Sequence, residues 1–296
     1  MSELYEFHAH PDLESPVLIL ALEGWIDAGR AGARDAAAIL EGAETALVVS
    51  FDTDLLLDHR SRRPVMHLRD GLNTGLTWPS IEMHAFADSS GNEVLMLTGA
   101  EPDHRWRAFT NAVVDLALEF GVRQVVGVGA YPAPVPHTRP PLLATTATDA
   151  ALAAQVGSVR SNIDVPSGIG GAIEERCAEV GLPAVGLWAQ VPHYAATMPY
   201  PAASLALVEA VNDLAQMSVP TGTLAQEANE TGARLDELVA DSPEHVALLR
   251  QLEEQADASG DGGLERTDGP GSEGPLPTGE ELASEIERFL RGQGDR

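Results

Sequence analysis

The sequence contains no lysine, and this absence removes several mechanisms from consideration. All 18 basic residues are arginine, so a Schiff base, a P-loop lysine and lysine-directed modification are excluded. Acidic residues dominate, with 45 Asp and Glu and a net charge of −27. Because so acidic a molecule repels polyanions, we expect neither nucleic acid nor an anionic membrane surface as a partner.

Cysteine and long apolar runs are also scarce. Cys177 is the single cysteine, so no intrachain disulfide can form, and its place in a helical pattern predicts a buried, inert thiol. The apolar run 16–22 is far shorter than the ~20 residues of a membrane span. No basic segment followed by an apolar core marks a signal peptide near the first residues. We therefore expect a cytoplasmic protein.

Short apolar runs alternate with helical patterns along most of the chain. Buried strands are predicted at 17–22, 46–51, 94–98, 125–130 and 184–191, and helices at 28–40, 103–120 and 172–180. Strands that are apolar on both faces and alternate with helices are typical of a parallel, doubly covered sheet. The predicted fold class is α/β with a mostly parallel sheet. Between 64 and 87 the apolar residues alternate instead, which predicts an antiparallel extension at a sheet edge.

After residue 202 the strand signals stop and a helical subregion begins. Helices are predicted at 202–217, 224–239 and 243–255. Segment 257–277 is rich in Gly, Asp, Glu, Ser and Pro and predicts a flexible acidic linker. Thr278 and Glu281 have capping-box spacing ahead of an amphipathic helix, which would dock on its own subunit or on a neighbour. The predicted organisation is a domain at 1–220, a helical extension at 221–256, the linker, and a tethered helix at 278–296.

Polar residues follow several of the predicted strands, where open α/β sheets place their binding crevice. Glu23 and Asp27 flank the first turn, although a tight turn and helix cap explain that loop as well. A second cluster contains Glu101, Asp103 and Arg105. It suits a polar ligand, but Asp103 as an N-cap and a Glu101–Arg105 ion pair are equally ordinary structural roles.

Two further loops carry candidate chemistry. The proline-rich loop after the fourth buried strand presents His137 and Arg139, and His193 and Tyr194 follow the fifth. His137 and His193 could act together as acid and base, although no nucleophile or third member accompanies them, or could simply anchor the loops. Glu101 is the other catalytic candidate. Three glycines open the helix that contains Cys177: Gly168, Gly170 and Gly171. They form the strongest anion-binding signal in the sequence, although glycines at a helix start also allow the helix to pack closely against a strand. Local spacing predicts no metal site, and we expect no cofactor.

Five segments resemble the PAC2 family, named after a proteasome assembly chaperone, and in particular its actinobacterial branch. They cover nearly the whole chain: 23–29, 99–109, 135–140, 186–194, and 276–282 with 287–290. The resemblance implies a three-layer αβα fold related to nucleoside phosphorylases and hydrolases, and self-association, with a trimer as the first expectation. Some archaeal relatives end in a hydrophobic-tyrosine-any-residue tail that engages the proteasome, which the residues 292–296 do not match.

These observations favour a non-enzymatic assembly or protein-interaction protein, chaperone-like in character. The incomplete catalytic constellations and the resemblance both point that way, although the question of an enzymatic activity stays open. The alternative is a small-molecule-binding protein or enzyme of nucleoside phosphorylase or hydrolase type, in which the strand-end loops face one pocket. That alternative requires the candidate side chains to converge.

Overall fold

Ten strands form the framework of the protein. The computed structural model describes residues 3–24, 26–31, 44–156 and 164–258. Within these ranges the strands are β1 (Tyr5–Phe7), β2 (Val17–Glu23), β3 (Ala46–Phe51), β4 (Val65–Arg69), β5 (Leu72–Thr77), β6 (Ile81–Ala87), β7 (Glu93–Ala100), β8 (Gln124–Ala133), β9 (Leu143–Ala147) and β10 (Ala184–Pro192). Eight of them build one sheet in the order β1-β3-β6-β7-β2-β8-β10-β9, and β4 and β5 pair separately.

The centre of the large sheet is parallel. Strands β7, β2, β8 and β10 run in the same direction, whereas β1, β3 and β6 on one side and β9 on the other pair antiparallel. This arrangement confirms the predicted α/β class. The prediction for 64–87 needs correction, because β6 lies inside the sheet between β3 and β7, and only β4 and β5 form a separate hairpin.

Helices cover both faces of the sheet. The described helices are α1 (Thr53–Leu56), α2 (Trp106–Glu119), α3 (Ala150–Val156), α4 (Ile169–Val180), α5 (Pro201–Ala215), α6 (Leu224–Ala240) and α7 (Pro243–Ala258). Leu18 and Leu20 of β2 join the core formed with α2 and α4, and Val17 and Ile19 join the core formed with α5 and α6. Since successive strand residues point to opposite faces, this alternation creates the predicted three layers.

The predicted helices that fall in the described ranges are present within a few residues of their expected bounds. Most of the predicted helix 28–40 and the segments beyond residue 258 lie outside those ranges. The predicted division into domains and a linker therefore stays a prediction. None of the helices in the described part of the chain is long and apolar enough to cross a membrane.

Candidate functional site

The four parallel strands end at one edge of the sheet, and the predicted site residues lie in the loops that follow them. Glu23 ends β2, Glu101 follows β7, and His193 follows β10. His137 lies four residues beyond the end of β8. The expectation that these loops share an edge follows directly from the parallel pairing. Glu101 contacts the start of α4, whereas the two histidines both contact Tyr194, so the side chains form separate clusters.

Glu101 fills the start of helix α4 from within the chain. Its side chain is buried, and Oε1 accepts a hydrogen bond of 2.7 Å from the backbone N–H of Ile169. A Cβ added at Gly168 would lie 3.2 Å from the same oxygen, so this glycine permits the close approach. The helix N-terminus that predicted an anion site thus already holds a carboxylate.

The other members of the Glu101 cluster point to different partners. Asp103 accepts a hydrogen bond of 2.8 Å from the backbone N–H of Asp58 and lies 3.5 Å from Nε of Arg62. Arg105 stands at the start of α2 with φ of 57°, is exposed, and forms no ion pair among the described residues. The expected Glu101–Arg105 pair and the expected Asp103 cap are therefore wrong in detail.

The first turn, with Glu23 and Asp27, is held by a close backbone contact at Gly29. The N–H of Gly29 donates to Ala196 O (2.8 Å), and the N–H of Tyr200 donates to Gly29 O (3.0 Å). A Cβ at Gly29, where φ is 69°, would lie 2.7 Å from Tyr200 Cβ. Glu23 is exposed, and Asp27 gives no side-chain cap to the short 3₁₀ turn Ala28–Arg30. These contacts support the tight-turn interpretation of the loop.

A hydrogen-bonded chain joins His137, Tyr194 and Asp236. The Tyr194 hydroxyl accepts from the backbone N–H of His137 (2.9 Å) and lies 2.7 Å from Nδ1 of the same residue. Nε2 of His137 lies 3.2 Å from Oδ1 of Asp236 on α6. With the hydroxyl donating to Nδ1, the proton of His137 stands on Nε2 and donates to Asp236. The His137 side chain is only 1% exposed, and burial raises the pKa of Tyr194 to about 12.

The next two residues bind helix α7. Thr138 Oγ1 donates to Glu253 Oε1 (2.6 Å), and the Arg139 guanidinium donates to both carboxylate oxygens of Asp257 (2.8 Å each). We call residues 137–139, Tyr194 and the three acidic partners the clasp, because it ties the loop after β8 to helices α6 and α7. The acidic half of the clasp was not predicted. Asp236 is 99 residues away from His137 in sequence, and no local pattern connects them.

The two histidines meet at the Tyr194 ring. The ring centroids lie 5.7 Å apart for His137 and 5.3 Å apart for His193, both edge-to-face. His193 is exposed and has no polar side-chain partner among the described residues. The hydroxyl of Tyr194 is the one side-chain hydroxyl that hydrogen-bonds either histidine in the described ranges, and no thiol does so. A nucleophile with an activated base is therefore not assembled by these described side chains.

In the described part of the chain, the predicted residues form no metal site and lie outside an open depression at its surface. The described residues include no group of three His, Cys, Asp or Glu that could hold a metal ion. An open depression lies at the end of β3, lined by Phe51, Asp52, Thr53, Asp54 and Trp78. None of its lining residues was a predicted site residue.

The most unusual described surface is the β4–β5 hairpin, which we call the arm (Val65–Thr77). Every residue of the arm is exposed. By register Met66 pairs with Leu76, and Leu68 stands two residues along from Met66, so the three side chains share one face. They are 55%, 42% and 56% exposed, respectively. The alternation of this segment was visible in the sequence, but it predicted an edge of the main sheet instead of a separate arm.

Comparisons with known proteins now place the chain. No curated protein matches it. Among solved structures it is similar to the Mycobacterium tuberculosis protein of unknown function Rv2714, at 40% identity over 89% of this chain and 94% of that one, with a TM-score of 0.83. It is also similar to a Corynebacterium glutamicum protein of unknown function, at 32% identity over 87% and 98%, with a TM-score of 0.84.

A third relative carries a functional description. The Mycobacterium tuberculosis proteasome-assembly chaperone homologue Rv2125 is 32% identical over 80% of this chain and 99% of that one, with a TM-score of 0.74. The family model for PAC2 matches residues 21–239, which is well over half of the sequence. The chain therefore belongs to the PAC2 family.

Proposed function

We propose that the protein is a non-enzymatic assembly protein, chaperone-like in character, that acts by binding itself and other proteins. Membership of the PAC2 family and similarity to a proteasome-assembly chaperone homologue support a general role in assembly. The finer proposal is that the arm is the contact surface. The exposed apolar face of the arm is the observation that carries it.

The arm lacks the packing that a hairpin normally needs. A two-stranded hairpin is marginally stable in water unless one face packs against something. Here Met66, Leu68 and Leu76 face solvent together, and contiguous exposed apolar side chains of this kind mark interaction sites. Burial of the face by a partner would supply the missing packing.

Charge indicates what kind of partner suits the arm. Arg60 and Arg63 at its base and Arg69 within it are exposed and form no ion pair among the described residues. The chain as a whole carries −27, so these cations are local exceptions. They favour an acidic protein surface, which reduces repulsion and orients the encounter. A second copy offers one in α6 and α7, with nine acidic residues and two arginines between 224 and 258.

Contacts of an arm with a different surface on a neighbour are either reciprocal, as in a two-fold dimer, or head-to-tail, in which case they close into a ring when the rotation permits. A trimer is the smallest ring of this kind, and we propose it for the self-associated state.

Support for a non-enzymatic role comes from the strand-end loops. Glu101, His137 and Arg139 hydrogen-bond within the chain, so these groups hold the structure together instead of facing one pocket.

The test replaces the apolar face of the arm and measures molecular mass. We expect the triple variant Met66→Ser, Leu68→Ser, Leu76→Ser to have a lower mass by light scattering than the unmodified protein, at equal concentration. The matched control carries three serines at exposed apolar positions outside the arm, namely Leu118, Leu142 and Val165, and should keep the original mass. An unmodified protein that is monomeric at all concentrations, or an arm variant with unchanged mass, would contradict the proposal.

A further inference from the structure

One face of strands β8 and β10 is lined with glycine and carries a large aromatic ring. The register pairs Gly127 with Gly186 and Gly129 with Trp188, and paired residues point to the same face. A Cβ at Gly129 would lie 2.7 Å from Cζ3 of Trp188, and a Cβ at Gly186 would lie 3.0 Å from its Nε1. The indole therefore occupies the space above both glycines, where a side chain on either would collide with it.

A carboxylate stands beside the nitrogen end of this indole. Glu174 of α4 accepts a hydrogen bond of 2.7 Å from Thr146 Oγ1 of β9. A Cβ built at Gly186 would lie 3.3 Å from Glu174 Oε2 and 3.0 Å from Trp188 Nε1. The carboxylate and the indole nitrogen therefore border the same small space above Gly186. Burial raises the pKa of Glu174 against the lowering effect of the Thr146 hydrogen bond. The carboxylate is thus partly exposed, has Thr146 as its hydrogen-bond donor, and can accept a further hydrogen bond.

The other end of the face offers a donor. Tyr131 pairs with Gln190 across the same two strands, and Gln190 Nε2 donates to the Tyr131 hydroxyl at 2.9 Å. The hydroxyl proton of Tyr131 has no acceptor among the described residues. A ring, an acceptor and a donor are therefore arranged on one surface, which we call the Trp188 surface: Gly127, Gly129, Tyr131, Thr146, Glu174, Gly186, Trp188 and Gln190.

The surface is accessible. Trp188, Tyr131 and Glu174 are partly exposed, and Thr146 is exposed. Gly170 is one helical turn before Glu174 on the same face of α4, and a Cβ built there meets no atom of the described residues within 4 Å. The start of α4 therefore leaves open space on the side that presents Glu174.

We propose that the Trp188 surface binds a planar nitrogen heterocycle bearing an amino group, stacked on the indole with its amino group donating to Glu174. Indole faces bind flat rings and electron-poor rings well, and the donor–acceptor pair at the two ends matches a heterocycle that has both N–H groups and ring nitrogens. The overall charge of −27 disfavours an anionic ligand. This site is independent of the arm and of the proposed assembly function.

Adenine is the probe, tested on the full-length protein by calorimetry and by saturation-transfer NMR. We expect adenine to bind, and we expect neither cyclohexylamine, which has an amine without a flat ring, nor benzoate, which has a ring with a negative charge, to bind comparably. Trp188→Leu should weaken adenine binding about 5- to 140-fold, the range of base–aromatic stacking. Trp188→Phe, which keeps a ring, should retain most of the affinity.

Glu174→Gln has a matched control in Glu175→Gln, since Glu175 is the next residue of the same helix and is exposed. Adenine affinity should fall in the first variant and stay unchanged in the second. Circular dichroism confirms that each variant is folded, and should Trp188→Leu not fold, the Phe and Gln variants still decide the matter. No adenine binding by the unmodified protein, or equal binding by Glu174→Gln and Glu175→Gln, would overturn the proposal.

Discussion

The buried carboxylate of Glu101 provides the sharpest test of how the strand-end loops are built. Its Oε1 accepts a hydrogen bond of 2.7 Å from the Ile169 N–H at the start of α4. A hydrogen bond to a charged group contributes about 1.5–3 kcal/mol, and a charge at a helix N-terminus adds about 0.3–1 kcal/mol. We expect Glu101→Ala to lower the free energy of unfolding by about 2–4 kcal/mol, and Glu101→Gln, which keeps an acceptor, by about 1 kcal/mol.

The same substitution should create the anion site that the sequence predicted. In Glu101→Ala the Ile169 N–H has no acceptor and faces the space of the missing carboxylate. Formate should bind there and restore stability by about 1.4 kcal/mol at tenfold over its dissociation constant. Urea unfolding in sodium formate against sodium chloride at equal ionic strength measures the effect. Glu23→Ala is the control, because Glu23 is exposed and should change stability by under about 0.5 kcal/mol.

Two outcomes would refute this reasoning. Glu101→Ala with unchanged stability would mean that the hydrogen bond to Ile169 contributes nothing net. Equal stabilisation of the unmodified protein and the variant by formate would mean that the anion acts generally on the protein and not at the start of α4.

Three further predictions concern the clasp and the cysteine. Tyr194→Phe removes the hydroxyl that hydrogen-bonds both the backbone N–H and Nδ1 of His137, whose side chain is 1% exposed. Urea unfolding should show a free energy of unfolding lower by about 1–3 kcal/mol, and a decrease of under about 0.5 kcal/mol, the size of an ordinary surface substitution, would contradict the structural role of the clasp. The Arg139 hydrogen bond lowers the pKa of Asp257, so this contact stabilises above the unfolded value of about 3.9 and is lost as pH falls through the lower folded value. The protection of amides at the end of α7, measured as their exchange rate relative to the intrinsic rate at each pH, should fall there, and should show no such fall in Arg139→Gln, where it should already be low. Burial raises the pKa of Cys177 to about 12, so iodoacetamide at pH 8 should modify it only after unfolding, and rapid labelling of the native protein would show otherwise.

The fold was predictable to the extent that it depends on short-range patterns. Apolar runs identify β2, β3, β7, β8 and β10, but an apolar run does not specify direction, and β3 proved antiparallel. Strand β9 was missed because Leu143–Ala147 contains one large apolar residue among threonine and alanine. Its place beside β10 follows from tertiary pairing, and the composition of such a segment does not predict that pairing.

The site was less predictable, because its contacts join distant parts of the chain. The loop residues His137, Arg139 and Tyr194 were identified as special, yet their partners Asp236, Glu253 and Asp257 lie on helices more than 40 residues beyond the last of them. Trp188 was assigned to a buried strand, since its neighbours in β10 are apolar. The available signal was the set of glycines at Gly127, Gly129 and Gly186, which clear space for a ring only when two strands pair in register.

A common physical rule connects the clasp, the arm and the Trp188 surface. A polar group removed from water must find a partner, and the strand-end loops find theirs inside the chain, as Glu101 and His137 do. Groups with a partner in the chain are poor ligands, because binding must first break that contact. By contrast, the arm leaves its apolar face and its arginines exposed, and the Glu174 carboxylate stands partly exposed beside Trp188. Binding should therefore concentrate at those two surfaces, and substitutions in the clasp should change stability more than they change binding.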